Sequence, residues 1–243
     1  MDCILLAAGY ATRLYPLTEN MPKALLKLGN KTILDMIMEK IEEVKDVKNV
    51  YIVTNHKFYK NFADWADEYK GQKKISVLND FTTNNDNRLG AIGDMQYTIE
   101  KKGIDDEILV MASDNIFDFS LCDFVKIYRE KDADMICANR IEDKEDLHSM
   151  GVAEIDDDNK VVGFEEKPAE PKSDWGVSPF YLYKKDTMKM IKQYLDEGNN
   201  KDAPGNFVPW LIEHKPVYAF CTDGMRLDIG TPKSYYEAQE MFK

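Results

Sequence analysis

A polar loop after the first apolar run of the chain carries residue types that bind a polyphosphate. The run ends in the small residues 7–9, and small side chains let a backbone approach a bound group closely. Thr12 and Arg13 follow, and Lys23 comes directly after Pro22. Exposed backbone amides, a guanidinium and an ammonium group all suit phosphate oxygens. We therefore predict a triphosphate-binding loop on the first strand of an α/β domain.

Two aspartates are placed to hold a divalent metal ion. The tripeptide Ser113-Asp114-Asn115 directly follows an apolar run, and a carboxylate at the carboxyl end of a strand is well placed to bind Mg²⁺. Asp228 precedes a Gly-Thr-Pro turn that we expect to open the last helix, with Thr231 as its N-cap. Each aspartate alone also suits a structural turn or cap. Together they predict two carboxylate ligands of one Mg²⁺ ion.

A charged segment at 165–168 offers a third group of functional side chains. Lys167 can neutralise a substrate phosphate as a point charge, and Glu166 can accept hydrogen bonds from hydroxyl groups. A solvated charged turn would have the same composition, so this segment is a weak indication when taken alone.

Hydrophobic patterning predicts strands that alternate with helices in the first half of the chain. The predicted strands are 2–7, 49–54, 75–78, 107–112 and 134–138, and the predicted helices are 32–45, 57–70, 91–101 and 120–131. This order implies a mostly parallel sheet with helices on both faces. Such sheets bind ligands at the carboxyl ends of their strands, so the loop after the first strand lies at the binding edge.

The second half of the chain has a different pattern. We predict a hairpin of 151–155 and 161–165, strands at 177–183 and 216–220, and helices at 185–197, 207–213 and from 232 onward. No repeat or linker interrupts the sequence. We therefore predict a single domain, 1–243, in which 1–140 bind the nucleotide and 141–243 form the acceptor-binding part and the closing helix.

Composition limits the classes of partner. The net charge of −12 over 243 residues disfavours nucleic acid, because phosphate backbones need a basic face. The four cysteines show no paired spacing, and Cys3 and Cys137 lie in apolar runs where we expect buried thiols. No leader is recognisable, and no run approaches the roughly 18 apolar residues of a membrane span. We expect a cytoplasmic protein that does not bind membranes.

Four motifs resemble those of the sugar-1-phosphate nucleotidylyltransferases, the family of glucose-1-phosphate thymidylyl- and uridylyltransferases. They are LAAGYATRLYPLTENMPKALL, SDN after a strand, FEEKP and DIGTP, and they occur in the family's order along nearly the whole chain. The resemblance implies a Rossmann-like three-layer αβα sandwich of the GT-A type with a smaller β-rich acceptor-binding region. It also implies a reaction in which a nucleoside triphosphate and a small phosphorylated acceptor give a nucleoside-diphosphate product and pyrophosphate.

The same resemblance implies roles for particular residues. Catalytic roles fall to Arg13, Lys23, Asp114 and Lys167, and Asp114 and Asp228 hold Mg²⁺. The implied nucleotide-binding residues are Leu6, Ala7, Ala8, Gly9, Thr12, Asn79, Asn85 and Gly90. The implied acceptor-binding residues are Asn115, Gly151, Glu166, Lys167 and Ser178. The acceptor phosphate is itself an oxyanion nucleophile, so we expect no chemical role for the three histidines.

Two departures from the family pattern leave the substrates open. The region before Gly90 is Asn-rich where relatives usually carry a Gln- or Glu-led stretch, so Asn79 or Asn85 replaces the residue that recognises the base. We favour UTP or dTTP, with CTP open. Pro179 stands where sugar enzymes commonly have glycine, and choline-phosphate cytidylyltransferases of this fold have a similar Gly-Val-Ser. The acceptor is a sugar 1-phosphate or a smaller phosphorylated alcohol or phosphonate.

Three alternative functions would require different residues at these positions. A glycosyltransferase would use a strand-end aspartate for a metal-bound nucleotide sugar, but would not need a lysine at position 23. A sensor of sugar phosphates would bind its ligand without turnover and would tolerate loss of Asp114 or Asp228. A dinucleotide oxidoreductase is disfavoured because Gly9 stands without a G-x-G-x-x-G run. A homo-oligomer is possible under each of these functions.

Overall fold

The protein's structure, a computed structural model, describes residues 1–242. The strands are β1 (Asp2–Leu6), β2 (Lys27–Leu28), β3 (Lys31–Thr32), β4 (Asn49–Thr54), β5 (Lys74–Asn79), β6 (Ile108–Ala112), β7 (Asn115–Phe117), β8 (Asp134–Arg140), β9 (Gly151–Ile155), β10 (Val161–Glu166), β11 (Trp175–Tyr183), β12 (Val217–Thr222) and β13 (Arg226–Asp228). The helices are α1 (Ile33–Glu43), α2 (Tyr59–Glu68), α3 (Ala91–Lys102), α4 (Leu121–Lys131), α5 (Lys144–Leu147), α6 (Thr187–Asp196), α7 (Phe207–His214) and α8 (Pro232–Met241). Single turns of 3₁₀ helix lie at Thr12–Leu14, Lys23–Leu25, Asn85–Asn87 and Pro204–Asn206.

The central sheet joins strands from both halves of the chain. Its order is β10-β9-β11-β6-β1-β4-β5, and β8 pairs with β11 and with β12 beyond this path. β1, β4, β5 and β6 pair in parallel, as do β8 and β12, whereas β11 is antiparallel to β6, β8 and β9. The predicted α/β fold is confirmed, and the strands of the second half supply the antiparallel pairs.

Apolar cores cover both faces of this sheet. Cys3 and Leu5 of β1 belong to one core and Ile4 to the other, because alternate residues of a strand point to opposite faces. α1 and α4 pack into the first core, and α3, α6 and α7 into the second. This is the three-layer arrangement that the sequence predicts. Cys3 and Cys137 are buried, free thiols, as expected.

The helix predicted at 32–45 illustrates how local sequence determines an element. Ile33, Ile37 and Ile41 are fully buried on one face. Thr32 accepts a hydrogen bond from the backbone N–H of Asp35, and the Asp35 carboxylate accepts one from the backbone of Thr32. This capping box satisfies orphan donors of the first turn. The helix therefore begins at Ile33, one residue after the predicted start, and it ends at Glu43, two residues before the predicted end.

Two features of the strands were not predicted from the sequence. β8 and β11 are longer than predicted, because they pair as far as Arg140 and Trp175. A separate antiparallel ladder joins β7 to β13, with Asn115 opposite Asp228. Both strands of this ladder have three residues, too few for a periodicity to be recognised in the sequence.

Membrane-spanning helices were also sought. Within residues 1–242, none of the helices has the length and the apolar character that crossing a bilayer requires.

Candidate active site

One ammonium group joins two carboxylates at the carboxyl edge of the parallel strands. Lys23 Nζ lies 2.8 Å from Asp114 Oδ2 and 3.0 Å from Asp228 Oδ1. Only 11% of the Lys23 side chain is exposed, so its charge is directed at the carboxylates and not at bulk solvent. Asp114 and Asp228, distant in sequence, therefore form one acidic centre.

The ladder between β7 and β13 creates this centre. Asn115 is paired with Asp228, so Asp114 lies beside the end of β13. The Ser113 hydroxyl donates to the Leu6 carbonyl at 2.8 Å and ties the turn to β1. Asn115 Nδ2 donates to Asp114 Oδ1 at 2.7 Å and orients that carboxylate.

The predicted triphosphate loop forms a cavity of about 230 Å³ next to the acidic centre. The predicted site residues that line it are Leu6, Ala7, Gly9, Arg13, Lys23 and Asp114. Gly230 also lines it, and a Cβ there would lie 3.8 Å from Arg13 Nη2 and 3.7 Å from Asp228 Oδ2. The exposed Arg13 side chain therefore lies near Asp228, on the other side of Gly230, whereas Thr12 lies outside this lining.

A second cavity, of about 270 Å³, lies on the other side of the β1 end, and we call it the base-side cavity. Ala8, Asn85 and Gly90 are among its lining residues. Gly90 has φ +80°, and a Cβ there would lie 2.6 Å from the Lys201 carbonyl oxygen, so glycine is required. Asn79 is not in the lining.

The amide of Asn79 is already engaged within the protein. Asn79 Oδ1 accepts a hydrogen bond from the Phe81 N–H at 2.8 Å, and its Nδ2 is 3.1 Å from His56 Nδ1. Of the two asparagines predicted to recognise a base, Asn85 is the one that faces the base-side cavity.

Two further cavities adjoin Asp228, and we call them the acceptor-side cavities. The larger, of about 450 Å³, is lined in part by Ser178. The smaller, of about 140 Å³, is lined in part by Asn115, Gly151 and Glu166. Asp228 lines both, so they open onto the acidic centre.

The predicted residues Glu166 and Lys167 differ in position. Glu166 lines the smaller acceptor-side cavity, whereas Lys167 lies at its rim. Burial raises the pKa of the Glu166 carboxyl group, and the charge of Lys167 opposes that change. Lys167 itself is exposed, has φ +50°, and donates its backbone N–H to the Met150 carbonyl at 3.0 Å. Its ammonium group is not part of the lining of either acceptor-side cavity.

The sequence was compared with models of known protein families. The nucleotidyl transferase model matches residues 2–243. The chain belongs to the nucleotidyl transferase family. This confirms the family that the four motifs predicted.

Two named relatives resemble this nucleotidyl transferase over nearly all of its length. The chain is 30% identical over 240 residues to the bifunctional protein GlmU of Methanocaldococcus jannaschii, covering 99% of this chain and 54% of that protein. It is 28% identical to the UTP–glucose-1-phosphate uridylyltransferase AglF of Haloferax volcanii, covering 99% of this chain and 96% of that one. The chain thus spans about half of one relative and nearly all of the other.

Solved structures support the fold of this nucleotidyl transferase. A UDP-glucose pyrophosphorylase in complex with UDP-glucose superposes with a TM-score of 0.84 at 18% identity, covering 99% of this chain and 97% of that one. The apo form of UDP-glucose pyrophosphorylase gives a TM-score of 0.83 at the same identity.

Members of this family generally use a divalent metal ion, and the acidic centre fits one. Asp114 and Asp228 converge on a single cation, the Lys23 ammonium, which shows that both carboxylates can face one positive charge. Within residues 1–242, no group of three or more His, Cys, Asp or Glu side chains is clustered to hold a metal. Two carboxylates, completed by water and phosphate oxygens, are a donor set typical of Mg²⁺.

Several charged residues of these cavities escaped the sequence prediction, Arg226 and Asp94 among them. Arg226 lines both acceptor-side cavities, and Asp94 lines the base-side cavity. Arg226 stands two residues before Asp228, the spacing that places side chains on one face of a strand, so identifying β13 would have indicated it. Asp94 interrupts the apolar face of α3 between Ile92 and Met95, and that interruption was the available signal.

Proposed function

We propose that this protein transfers a nucleotidyl group from UTP or dTTP to a sugar 1-phosphate, giving a nucleoside-diphosphate sugar and pyrophosphate. The observation that carries this proposal is the contact of Lys23 with both Asp114 and Asp228 beside the triphosphate loop. A phosphoryl-transfer site must bring two anions together, and it needs cations at their meeting point.

Each substrate has a region of the site. The triphosphate lies in the cavity of the loop after β1, where Arg13 binds the leaving phosphates and Lys23 lies between the two substrates. Gly90 and Asn85 border the base. The acceptor occupies the acceptor-side cavities, with Glu166 accepting hydrogen bonds from its hydroxyls and Lys167 approaching its phosphate from the rim.

Catalysis of this reaction depends on aligning the acceptor phosphate with the α-phosphorus and not on proton transfer. The acceptor phosphate oxygen attacks the α-phosphorus, the bond to the β-phosphate oxygen breaks, and pyrophosphate leaves with that electron pair. No general base is required, because the nucleophile is already an anion. The histidines are occupied elsewhere: His148 Nδ1 contacts the Pro168 carbonyl at 2.9 Å, and His214 stacks on Trp210.

Asp114 and Asp228 would hold the magnesium ion. When bound, Mg²⁺ supplies a Lewis acid that neutralises phosphate charge. Lys23 then keeps the two carboxylates close together, and Asn115 keeps Asp114 oriented toward the centre.

The names of the relatives support a sugar 1-phosphate and a uridine nucleotide. Beside the uridylyltransferase of Haloferax volcanii, a UTP–glucose-1-phosphate uridylyltransferase of Synechocystis is 26% identical over 251 residues. Cytoplasmic location and a homo-oligomeric state stay predictions.

A pyrophosphate-release assay tests the proposal. The purified chain is offered each nucleoside triphosphate with a panel of sugar 1-phosphates, phosphocholine and aminoethylphosphonate, with Mg²⁺ or with EDTA. We expect release only with Mg²⁺, with UTP or dTTP, and with a sugar 1-phosphate. Ligand binding without release under every condition would instead favour a sensor.

One observation favours a second function, cytidylyl transfer to a smaller phosphorylated alcohol or phosphonate. Val177 and Pro179 line the smaller acceptor-side cavity, whose volume of about 140 Å³ suits a small acceptor. The same assay separates the two functions, because this one requires CTP and an acceptor without a sugar ring.

A further inference from the structure

Two buried carboxyl groups lie at the base-side cavity and have no part in the transfer reaction proposed above. Asp80 follows β5 and is 6% exposed, and Asp94 lies in the first turn of α3 and is 4% exposed. Asp94 lines the base-side cavity together with Gly90 and Asn85.

Asp80 accepts hydrogen bonds from Thr82, whereas Asp94 accepts none through its side chain. Asp80 Oδ1 accepts hydrogen bonds from the Thr82 N–H at 2.7 Å and from its hydroxyl at 2.8 Å, and Oδ2 is 3.0 Å from the same hydroxyl. Neither side-chain oxygen of Asp94 accepts a hydrogen bond from the described part of the chain, and its Oδ1 is completely buried. Because Oδ1 is closed off from solvent, Oδ2 is the Asp94 oxygen available to a ligand in the cavity.

The contact between the two carboxyl groups favours one proton between them. Their side chains are hydrogen-bonded to each other, and burial followed by the charge of Asp80 raises the pKa of Asp94 to about 8. Near neutral pH the Asp94 hydroxyl therefore donates to Asp80, and its carbonyl oxygen remains a free acceptor. The other ionisable groups around the pair and its cavity are Tyr10, Arg88, Tyr97, Lys201 and Asp202.

The walls of the cavity suit an uncharged heterocycle. Leu6 and Ala8 contribute apolar surface from the end of β1, and Gly90 contributes bare backbone. Arg88 and Asp202 neutralise each other through an ion pair of 3.0 Å. The protonated carboxyl group of Asp94 is therefore a neutral acceptor, and the remaining negative charge of the pair lies on Asp80, outside the cavity lining.

We propose that Asp94 recognises the nucleotide base, its carbonyl oxygen accepting a hydrogen bond from the N3–H of uracil or thymine. The proposal rests on the proposed nucleotidyl transfer, because that function places the base in this cavity. Cytosine carries a lone pair at N3 in place of the hydrogen, so the same contact sets two acceptors against each other and discriminates against CTP.

The test compares kcat/KM for UTP with kcat/KM for CTP in three variants. Asp94→Asn keeps a neutral carbonyl acceptor and a donor toward Asp80, so the UTP preference stays within about threefold of the wild-type value. Asp94→Ala removes the acceptor, so the preference falls roughly tenfold or more. Thr98→Val is the matched control: its hydroxyl is fully buried on the same helix and donates to the Asp94 backbone carbonyl, but Thr98 does not line the cavity.

A wild-type preference for CTP, or an equal loss with both nucleotides in Asp94→Ala, would overturn the proposal. If Asp94→Ala does not fold, the pH dependence of KM for UTP in the wild type and in Asp94→Asn tests the proposal instead. Raising the pH from about 7 to about 8.5 must raise KM for UTP more in the wild type than in Asp94→Asn, because only the wild type gains a second negative charge there. Equal pH dependence contradicts the shared proton.

Calorimetric binding separates failure of this proposal from failure of the proposed function. UTP bound more tightly than CTP in the wild type, with the difference lost in Asp94→Ala, supports base recognition even if no acceptor yields pyrophosphate. Equal binding of both nucleotides overturns base recognition even if turnover occurs.

Discussion

Lys23 holds the position at which the two proposed substrates meet. Its ammonium group contacts carboxylates from β13 and from the turn after β6, and its side chain is mostly withdrawn from solvent. An ammonium group in that position lowers the repulsion between two phosphate groups more effectively than an exposed lysine, because little water screens it. In the proposed function, Lys23 would thus both orient the two aspartates and neutralise the substrates.

Replacing Lys23 with alanine should abolish most activity and leave the fold intact. We expect kcat to fall roughly 100- to 1,000-fold, the usual loss when one electrostatic contact to a transition state is removed. Pyrophosphate release measures the rate, and circular dichroism checks the fold. Lys27→Ala, which removes an exposed lysine outside every described cavity, is the control and should retain wild-type turnover. Normal turnover in Lys23→Ala would refute the assigned role.

At the scale of elements, the short ladder of β7 and β13 and the start of α8 determine where Asp228 lies. Thr231 accepts a hydrogen bond from the Ser234 N–H at 3.2 Å, and Ser234 Oγ accepts one from the Thr231 N–H at 3.1 Å. This reciprocal cap confirms the N-cap predicted from the sequence. Tyr235 of the same helix donates to the Lys27 carbonyl at 2.9 Å and anchors α8 beside the triphosphate loop.

Thr231→Ala should therefore destabilise the protein by about 1 kcal/mol, the typical cost of losing an N-cap side chain. Urea denaturation measures the free energy of unfolding. Thr231→Ser keeps the hydroxyl and should stay close to the wild-type value. Equal stability of the alanine and wild-type proteins would show that α8 does not depend on this cap.

At the scale of the whole molecule, a strongly acidic protein is proposed to bind two anions. The net charge of −12 opposes their approach, so the local cations must act at short range. Arg13, Lys23 and Arg226 meet this need by lining the cavities next to the acidic centre. The raised pKa of Asp94 has a local cause instead, namely burial and then the neighbouring charge of Asp80.

Protonation of Asp94 also makes global stability depend on pH. Its folded pKa is raised to about 8, above that of an unfolded aspartate, so its stabilising effect is complete at low pH and is lost as the pH rises toward 8. Between about pH 5 and 8, the free energy of unfolding should fall more steeply in the wild type than in Asp94→Asn, by at most about 1.4 kcal/mol per pH unit.

Denaturation at several pH values measures this difference in slope. Asp157→Asn, at an exposed turn, is the control and should follow the wild type. Parallel slopes for the wild type and Asp94→Asn would contradict a proton held between Asp80 and Asp94.

Local sequence sufficed for most elements and for the first half of the candidate site. Periodicity and caps act over a few residues, so α1 and the parallel strands follow from the chain itself. Because β1 and β6 are parallel, their carboxyl ends share an edge, and the triphosphate loop and Asp114 had to lie together.

Only the tertiary structure decided how the second half of the chain completes the site. The pairing of Asn115 with Asp228 joins segments more than a hundred residues apart. Strands of three residues are too short to show a sequence pattern that would predict this pairing. The contact between Asp80 and Asp94, and the place of Arg226 in both acceptor-side cavities, depend on the same long-range packing. The sequence by itself therefore determined which charged and carboxyl side chains the candidate site can use. The tertiary structure decided which of them lie together, because residues far apart in sequence meet only when the chain packs.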